Sequence, residues 1–295
     1  GMFRGMKVQS LDLSHFNTEK VRSMASMFAG FETETDLDFS SFRTPALTNL
    51  DTTFQSFKTP YKLDLSTFDT SNVGVIQYLF KSANIPYIDI SNFNMSSYTN
   101  CQQMFHGMTN EILDLGKFES NGKIISGNYL MANSSTKTVL VDPDYVPNFG
   151  DVLDIVHVVG GQGTTYMGYS GIYGRIDHAE DGGEPGYFTD RTKYTIKYHI
   201  NTDDVNAAGT MANQEMVGGT NTALNANQFT RTGYKFGGWN TKADLTGIHY
   251  DDEQEVSGYG TLHLYAEWGL TPYTVIFDKN AEDATGTMEN LTKAF

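Results

Sequence analysis

An eighteen-residue phrase, Leu11 to Phe28, is written again at Leu37 to Phe54, Leu63 to Phe80 and Ile88 to Phe105. A fifth copy opens at Leu113-Asp114-Leu115-Gly116-Lys117-Phe118 and then loses the pattern, and Met2-Phe3 reads as the tail of a copy before the first. The openings are 26, 26, 25 and 25 residues apart. A unit this short cannot bury its own apolar face, so the units must stack and equivalent residues must line up in columns. That constraint takes precedence over any local motif.

Within the unit, the alternation Leu11-Asp12-Leu13 sends two leucines to one side and the aspartate to the other, as a strand requires. Thr18 is placed to cap a helix, and Thr44 followed by Pro45 repeats the signal. Val21, Met24 and Phe28 follow at helical spacing. The expected fold is therefore α/β, a leucine-rich-repeat solenoid of short parallel strands and short helices. Leu11, Leu37, Leu63, Ile88 and Leu113 should form one buried column, with phenylalanine columns through Phe16, Phe42, Phe68, Phe93 and Phe118 and through Phe28, Phe54, Phe80 and Phe105.

These units resemble those of the BspA-like leucine-rich-repeat proteins of bacterial cell surfaces, which read close to Leu-Asp-Leu-Ser-x-Phe-x-Thr-x-x-Val-x-x-Met-x-x-Met-Phe. The resemblance covers roughly the first 120 residues. Thr53, Leu79 and Met95 depart from it, as swaps that should tune packing. Residues 1–141 are read as the solenoid with a closing coil, and residues 142–193 as a Gly-rich acidic cap and connector. Residues 194–268 resemble the Listeria–Bacteroides repeat, a small β-rich, β-grasp-like module, through Gly233-Tyr234-Lys235-Phe236-Gly237-Gly238-Trp239 and Leu264-Tyr265-Ala266-Glu267-Trp268. Residues 269–295 are a linker and the opening of a second copy, Gly286-Thr287-Met288 echoing Gly209-Thr210-Met211; unless its strands add to the first copy it should be weakly ordered.

A net charge of −15 opposes a nucleic-acid partner, whose affinity rests on Lys and Arg against phosphates. Cys101 is alone, so no intramolecular disulfide forms, and its column suggests a small buried apolar residue. Gly168-Tyr169-Ser170-Gly171 fails as a nucleophile elbow because Ile172 stands where glycine is needed. Gly161-Gln162-Gly163 fails as a dinucleotide fingerprint at Tyr166. The seven histidines show no metal-ligand spacing, and Ala179 breaks the acidic run Asp177 to Gly182 as a calcium loop. No cofactor, no metal and no enzyme activity are expected. Trp239 and Trp268 read as core residues of a small domain rather than sugar platforms.

Asp12, Asp38, Asp64, Asp89 and Asp114 should form a ladder of aligned carboxylates. Their repulsion must be offset by local hydrogen bonds or by a bound cation. Beside the ladder, the chemistry changes at every coil: Ser10, Asp36, Lys62, Tyr87 and Ile112 on one side, His15, Ser41, Thr67, Asn92 and Lys117 on the other. Such columns either specify a partner or are unconstrained solvent positions. The expected contact centres on Lys62, Asp64, Tyr87 and Asp89, with His15, Asp36, Asn92 and Lys117 around it. The resemblances imply a non-enzymatic, adhesin-like fragment of the bacterial exterior, monomeric, with its targeting and anchoring segments elsewhere, binding a protein or glycan through the solenoid. The alternative is a structural spacer of a larger surface protein.

Overall fold

The computed structural model describes residues 1–94, 99–116, 124–126, 134–143, 154–157, 164–167, 180, 188–283 and 285–293. The chain divides into two compact units, Gly1–Thr192 and Lys193–Phe295.

The first unit is a stack of coils joined by parallel pairing at the repeat step. One ladder is a five-stranded parallel sheet, in the order Leu63–Asp64, Tyr87–Asp89, Ile112–Gly116, Thr138–Val141 and Phe188–Asp190. A second runs through single parallel bridges joining Ser23, Asn49, Val75 and Asn100, and a third joins Glu32, Lys58, Asn84 and Thr109. The core between them is built from the repeating columns: Met24, Leu50, Ile76 and Cys101 are buried, as are Phe28, Phe54, Phe80 and Phe105. Phe28, Phe54, Phe80 and Phe105 stack ring on ring at 5.5, 5.7 and 5.9 Å with planes within 10°. Phe42, Phe68 and Phe93 are buried, whereas Phe16 is exposed and Phe118 lies outside the described residues.

The expected helices are absent, and the α/β leucine-rich-repeat fold is overturned: the described residues contain strands, bridges and turns but no α-helix. Where a helix was expected, alternate amides point in different directions. Those of Met24, Ser26, Phe28 and Gly30 donate to the carbonyls of Asn49, Asp51, Thr53 and Gln55 one coil on, while those of Met27, Ala29 and Phe31 close turns on Met24, Ser26 and Phe28. Two residues per coil take positive φ to make this possible, Ser26, Thr52, Tyr78 and Gln103 (51° to 55°) and then Gly30, Ser56, Ser82 and Gly107 (55° to 66°). A right-handed helix cannot pass through such residues. Coil-to-coil bonds satisfy the amides that a helix would have bonded internally.

Threonine is also re-assigned. Thr18, Thr44 and Thr70 are buried and cap no helix. Instead the Thr44 hydroxyl donates to the Asp69 carbonyl at 3.2 Å and accepts the Asp69 N–H at 2.8 Å, and Thr18 does the same to Arg43 and Thr70 to Asn94. Each hydroxyl ties one coil to the next.

The second unit is built on a mixed five-stranded sheet ordered Gln214–Val217, Lys193–His199, Gly260–Leu270, Tyr234–Asn240, His249–Tyr250. Its first and last long strands, Lys193–His199 and Gly260–Leu270, run parallel side by side, and each has an antiparallel neighbour on its other edge. One face buries Ile196, Leu264, Ala266 and Trp239. Trp239 is fully buried against Tyr198 and Phe236, with its indole N–H donating to Asp252. Trp268 donates to the Ile200 carbonyl at 2.8 Å. Farther along, Tyr273–Val275 pairs with Leu291–Lys293 in the register that Tyr194–Ile196 has with Gln214–Met216, and Gly286 (φ 102°) repeats the backbone of Gly209 (φ 105°).

Candidate functional site

Among the described residues, repetition concentrates charge in the aspartate ladder. Strand register sets Asp64 beside Asp89 and Asp89 beside Asp114; the next rungs hold Leu140 and Thr189. Every aspartate of the column bonds locally, its Oδ1 accepting the N–H two residues on: Asp12 from Ser14, Asp38 from Ser40, Asp64 from Ser66, Asp89 from Ser91 and Asp114 from Gly116, at 2.7 to 3.1 Å. The Ser14 and Ser40 side chains, together with these backbone bonds, hold the Asp12 and Asp38 carboxyls below the usual range.

Along the column the environment changes. Asp12, Asp38 and Asp64 are exposed, whereas Asp89 and Asp114 are buried. Lys62 Nζ bridges Asp64 (3.0 Å) and Asp89 (2.9 Å) and lies 4.7 Å above the Tyr87 ring. Burial works to lower the lysine pKa, but the bonds to Asp89 and Asp64 outweigh it and the net shift is upward. For Asp64, burial works upward and is outweighed by the Ser66 side chain and N–H and by Lys62, leaving the carboxyl below its usual value. The Tyr87 hydroxyl donates to Asp114 Oδ2 at 3.3 Å. Arg191, just past the last strand, pairs with Asp114 at 3.0 Å and Asp142 at 3.4 Å. Even so, burial pushes Asp114 up to about 6, with Arg191 opposing and Asp89 reinforcing the shift.

The fold therefore brings Lys62, Asp64, Tyr87 and Asp89 into one network. His15 stands apart on the open end, exposed and 3.8 Å from Asp12. Asp36 is exposed, and the Asn92 side chain donates to the Ser66 carbonyl, a coil-to-coil tie. Lys117 lies outside the described residues, as do the Gly168 to Gly171 segment and most of the acidic run at Asp177 to Gly182. Sequence reasoning missed Arg191, because nothing local marks a residue whose partners are 49 and 77 positions earlier. Chemically the network neutralises acids; no nucleophile with an adjacent base stands in it. Among the described residues no three His, Cys, Asp or Glu side chains converge as metal ligands. Cys101 is buried, its thiol pushed up to about 12 by burial.

The second unit carries a cavity of about 650 Å³, lined by residues that include His199, Asn201, Thr210, Met211, Phe229 and Tyr265. Gly209 shapes its wall: a Cβ there would collide with the Gln228 carbonyl oxygen.

Comparison with known proteins gives two family matches. Residues 1–120 match the family described as Mycoplasma protein of unknown function, DUF285. Residues 194–267 match the Listeria-Bacteroides repeat domain. A putative Gly-rich membrane protein of Evansella cellulosilytica is 42% identical over 60 residues, which are 19% of this chain and 7% of that protein. The chain thus spans only a small part of that relative's length. No solved structure matches. Together the matches support a bacterial surface or membrane-associated repeat protein. Among the described residues, no helix is long and apolar enough to cross a membrane.

Proposed function

We propose that this chain is a non-enzymatic, adhesin-like binding segment of the bacterial exterior, whose coil stack contacts a protein or glycan. One observation carries the reading: core columns keep their chemistry from coil to coil, whereas the solvent columns beside the ladder change it at each step. Some of these residues tie coils together, as Asn92 does to Ser66 and Thr67 to Phe39, but no one residue type is imposed along the row, and a row that changes in this way is suited to specifying a partner. The contact surface on this reading runs over the open side of the ladder, from His15 and Asp12 through Asp36 and Asp38 to Lys62 and Asp64, with Tyr87 at its covered edge. Its acidity favours a partner that presents basic or neutral hydrogen-bonding groups.

The second reading, a spacer whose active domain lies in another part of a longer protein, is favoured by the self-contained bonding of the same acids, each held by its own coil. A capture survey against surface proteins and glycans separates the two. Reproducible capture that is lost on Tyr87→Ala or Asp38→Asn, with the melting temperature unchanged, supports the binding segment; silence across the survey supports the spacer. Turnover in a hydrolase screen of the pure protein would displace both.

A further inference from the structure

The cavity of the second unit lies at the end of the strand Lys193–His199, where every residue from Tyr198 to Asp203 lines it. The chain turns there through a left-handed residue, Asn201 (φ 53°), so the cavity draws on both faces of the sheet, Tyr198 from the core side and His199 from the solvent side. Tyr198 and Phe229, both nearly buried, form an apolar floor with Met211. Tyr265 is half-exposed, and its ring is braced by His199 at 4.5 Å and 16°. His199 is itself bonded to His263 at 2.8 Å, so the brace is held in place. Around this floor, local bonding leaves particular polar groups open. The Asn201 side-chain NH₂ donates to the carbonyls of Ala243 and Ala266, both at 3.1 Å, which fixes the amide and leaves Oδ1 to accept. The Thr202 hydroxyl accepts the Asp204 N–H at 3.2 Å and keeps its own proton to donate. The Asp203 carboxylate and the Thr210 hydroxyl are exposed.

We propose that this cavity binds a neutral saccharide of one or two rings. A sugar ring presents an apolar C–H face and a rim of hydroxyls, and the lining offers a counterpart to each. The C–H groups carry partial positive charge, which the negative face of an aromatic ring such as Tyr265 attracts. Each hydroxyl both donates and accepts, so it needs acceptors beside donors; Asn201 Oδ1 and Asp203 are the acceptors, and Thr202 and Thr210 the donors. The bond to the Asp203 carboxylate is of the stronger, charge-assisted kind. No Lys or Arg lines the cavity, and burial, with His263 and Lys197 nearby, lowers the His199 pKa and keeps that ring neutral at neutral pH. Asp203 therefore stands without a balancing cation and repels phosphate, sulfate and carboxylate groups. A purely apolar ligand would strip water from the same polar rim without replacing its bonds. The volume of about 650 Å³ lies within the roughly 300–1,000 Å³ of sites that hold a ligand the size of a disaccharide. The site belongs to the second unit alone and does not rest on the binding surface proposed for the coil stack.

The test is a titration of the full chain with cellobiose, maltose, lactose and diacetylchitobiose, followed by calorimetry and by the nuclear magnetic resonances of the Met211 methyl group and the Tyr265 ring. Choline, a cation, and a sulfated disaccharide, an anion, are the counter-probes. At least one neutral sugar should bind saturably and shift both resonances, a readout that needs no variant to fold, and neither counter-probe should do so. Tyr265→Ala and Asp203→Ala should each weaken that sugar at least tenfold. Asp203→Asn, which keeps an acceptor oxygen, should weaken it less than Asp203→Ala, and Thr220→Val, outside the lining, should leave it unchanged. Silence of all the neutral sugars at millimolar concentration, preference for choline or the sulfated sugar, or binding indifferent to both Tyr265→Ala and Asp203→Ala would overturn the proposal.

Discussion

Both units are made of β-structure, yet they satisfy their backbones in different ways. In the coil stack an amide finds its carbonyl one repeat away, so the same bond is made again at Met24, Leu50 and Ile76. In the second unit each strand has a different neighbour, and one tryptophan fills the centre. A repeat distributes its stability over copies of one contact; the module concentrates it in contacts that occur once. The glycines make the same point. Gly209 has no room for a Cβ beside Gln228, whereas in the stack the column Gly30, Ser56, Ser82, Gly107 has room for a side chain and holds serine at two positions, at the cost of a left-handed backbone.

The sharpest way to break this contrast is to empty each core. Phe54→Ala and Trp239→Ala each remove a fully buried ring and should cost about 3–5 kcal/mol. Native-state hydrogen exchange should show the Phe54 loss spreading to the amides of Met24 and Ile76 in the flanking coils, and the Trp239 loss confined to Lys193–His199 and its sheet partners. Loss of protection in the Phe54 coil alone would mean that the coils do not share a cooperative core.

Next in size is the threonine tie. Thr44→Val keeps the shape but leaves both backbone groups of Asp69 without the hydroxyl, at a cost of about 2–4 kcal/mol in denaturant unfolding. Thr220→Val, at an exposed turn of the second unit, should change stability by less than about 0.5 kcal/mol. Equal effects would remove the hydroxyl ladder from the account of the stack.

Acid titration sharpens the comparison within the stack itself. Asp114 has a folded pKa of about 6, above the unfolded value near 3.9. Between those values the folded state keeps a proton that the unfolded state has lost. Asp114 therefore stabilises below the lower value, and its contribution is lost as pH rises to 6, by roughly 2–3 kcal/mol. Asp12, Asp38 and Asp64 act with the opposite sign, their contribution present above about 4 and lost as pH falls below it. Asp114→Asn should flatten the stability curve between pH 4 and 6; a curve parallel to that of the unsubstituted protein would sink the assignment.

The smallest expected effect is a gain. Ser56→Gly places glycine at a left-handed residue where two other coils already have it, and should raise stability by about 0.5 kcal/mol, seen as a slightly higher melting temperature. A fall would show that the Ser56 side chain contributes more than the backbone strain it carries.

The repeat was legible in the sequence because burial and register follow the period: the columns through Leu63, Ile88 and Leu113 and through Phe54 and Phe80 are where the spacing put them. The helix was misread for a physical reason. Met24 and Phe28 are four apart, a spacing that a helix and this αL-interrupted path both satisfy. What decides is the positive φ at Ser26, Thr52, Tyr78 and Gln103, a column whose residue types carry no left-handed signal. Gly30 and Gly107 hinted at the second such position, but Ser56 and Ser82 masked it. Thr18 was recognised as a hydroxyl that accepts a backbone N–H; its donor, Arg43, belongs to the next coil and not to a helix. The candidate contact residues group by column, but the sequence could not say that Asp114 is covered while Asp12 and Asp38 stay open, because the cation on Asp114 comes from Arg191.

Because the ties between coils lie along the stacking direction, the first unit has a mechanical character that its composition does not suggest. A pull along that axis is carried by every interface in series, and the terminal coil, bonded on one side only, gives way first, so rupture proceeds one coil at a time. Neighbouring coils stand only about 4.8 Å apart, whereas 25 residues drawn straight span roughly 85 Å. Each released coil would therefore pay out about seventeen times its folded height, and a tethered chain of this design would yield under shear in regular steps.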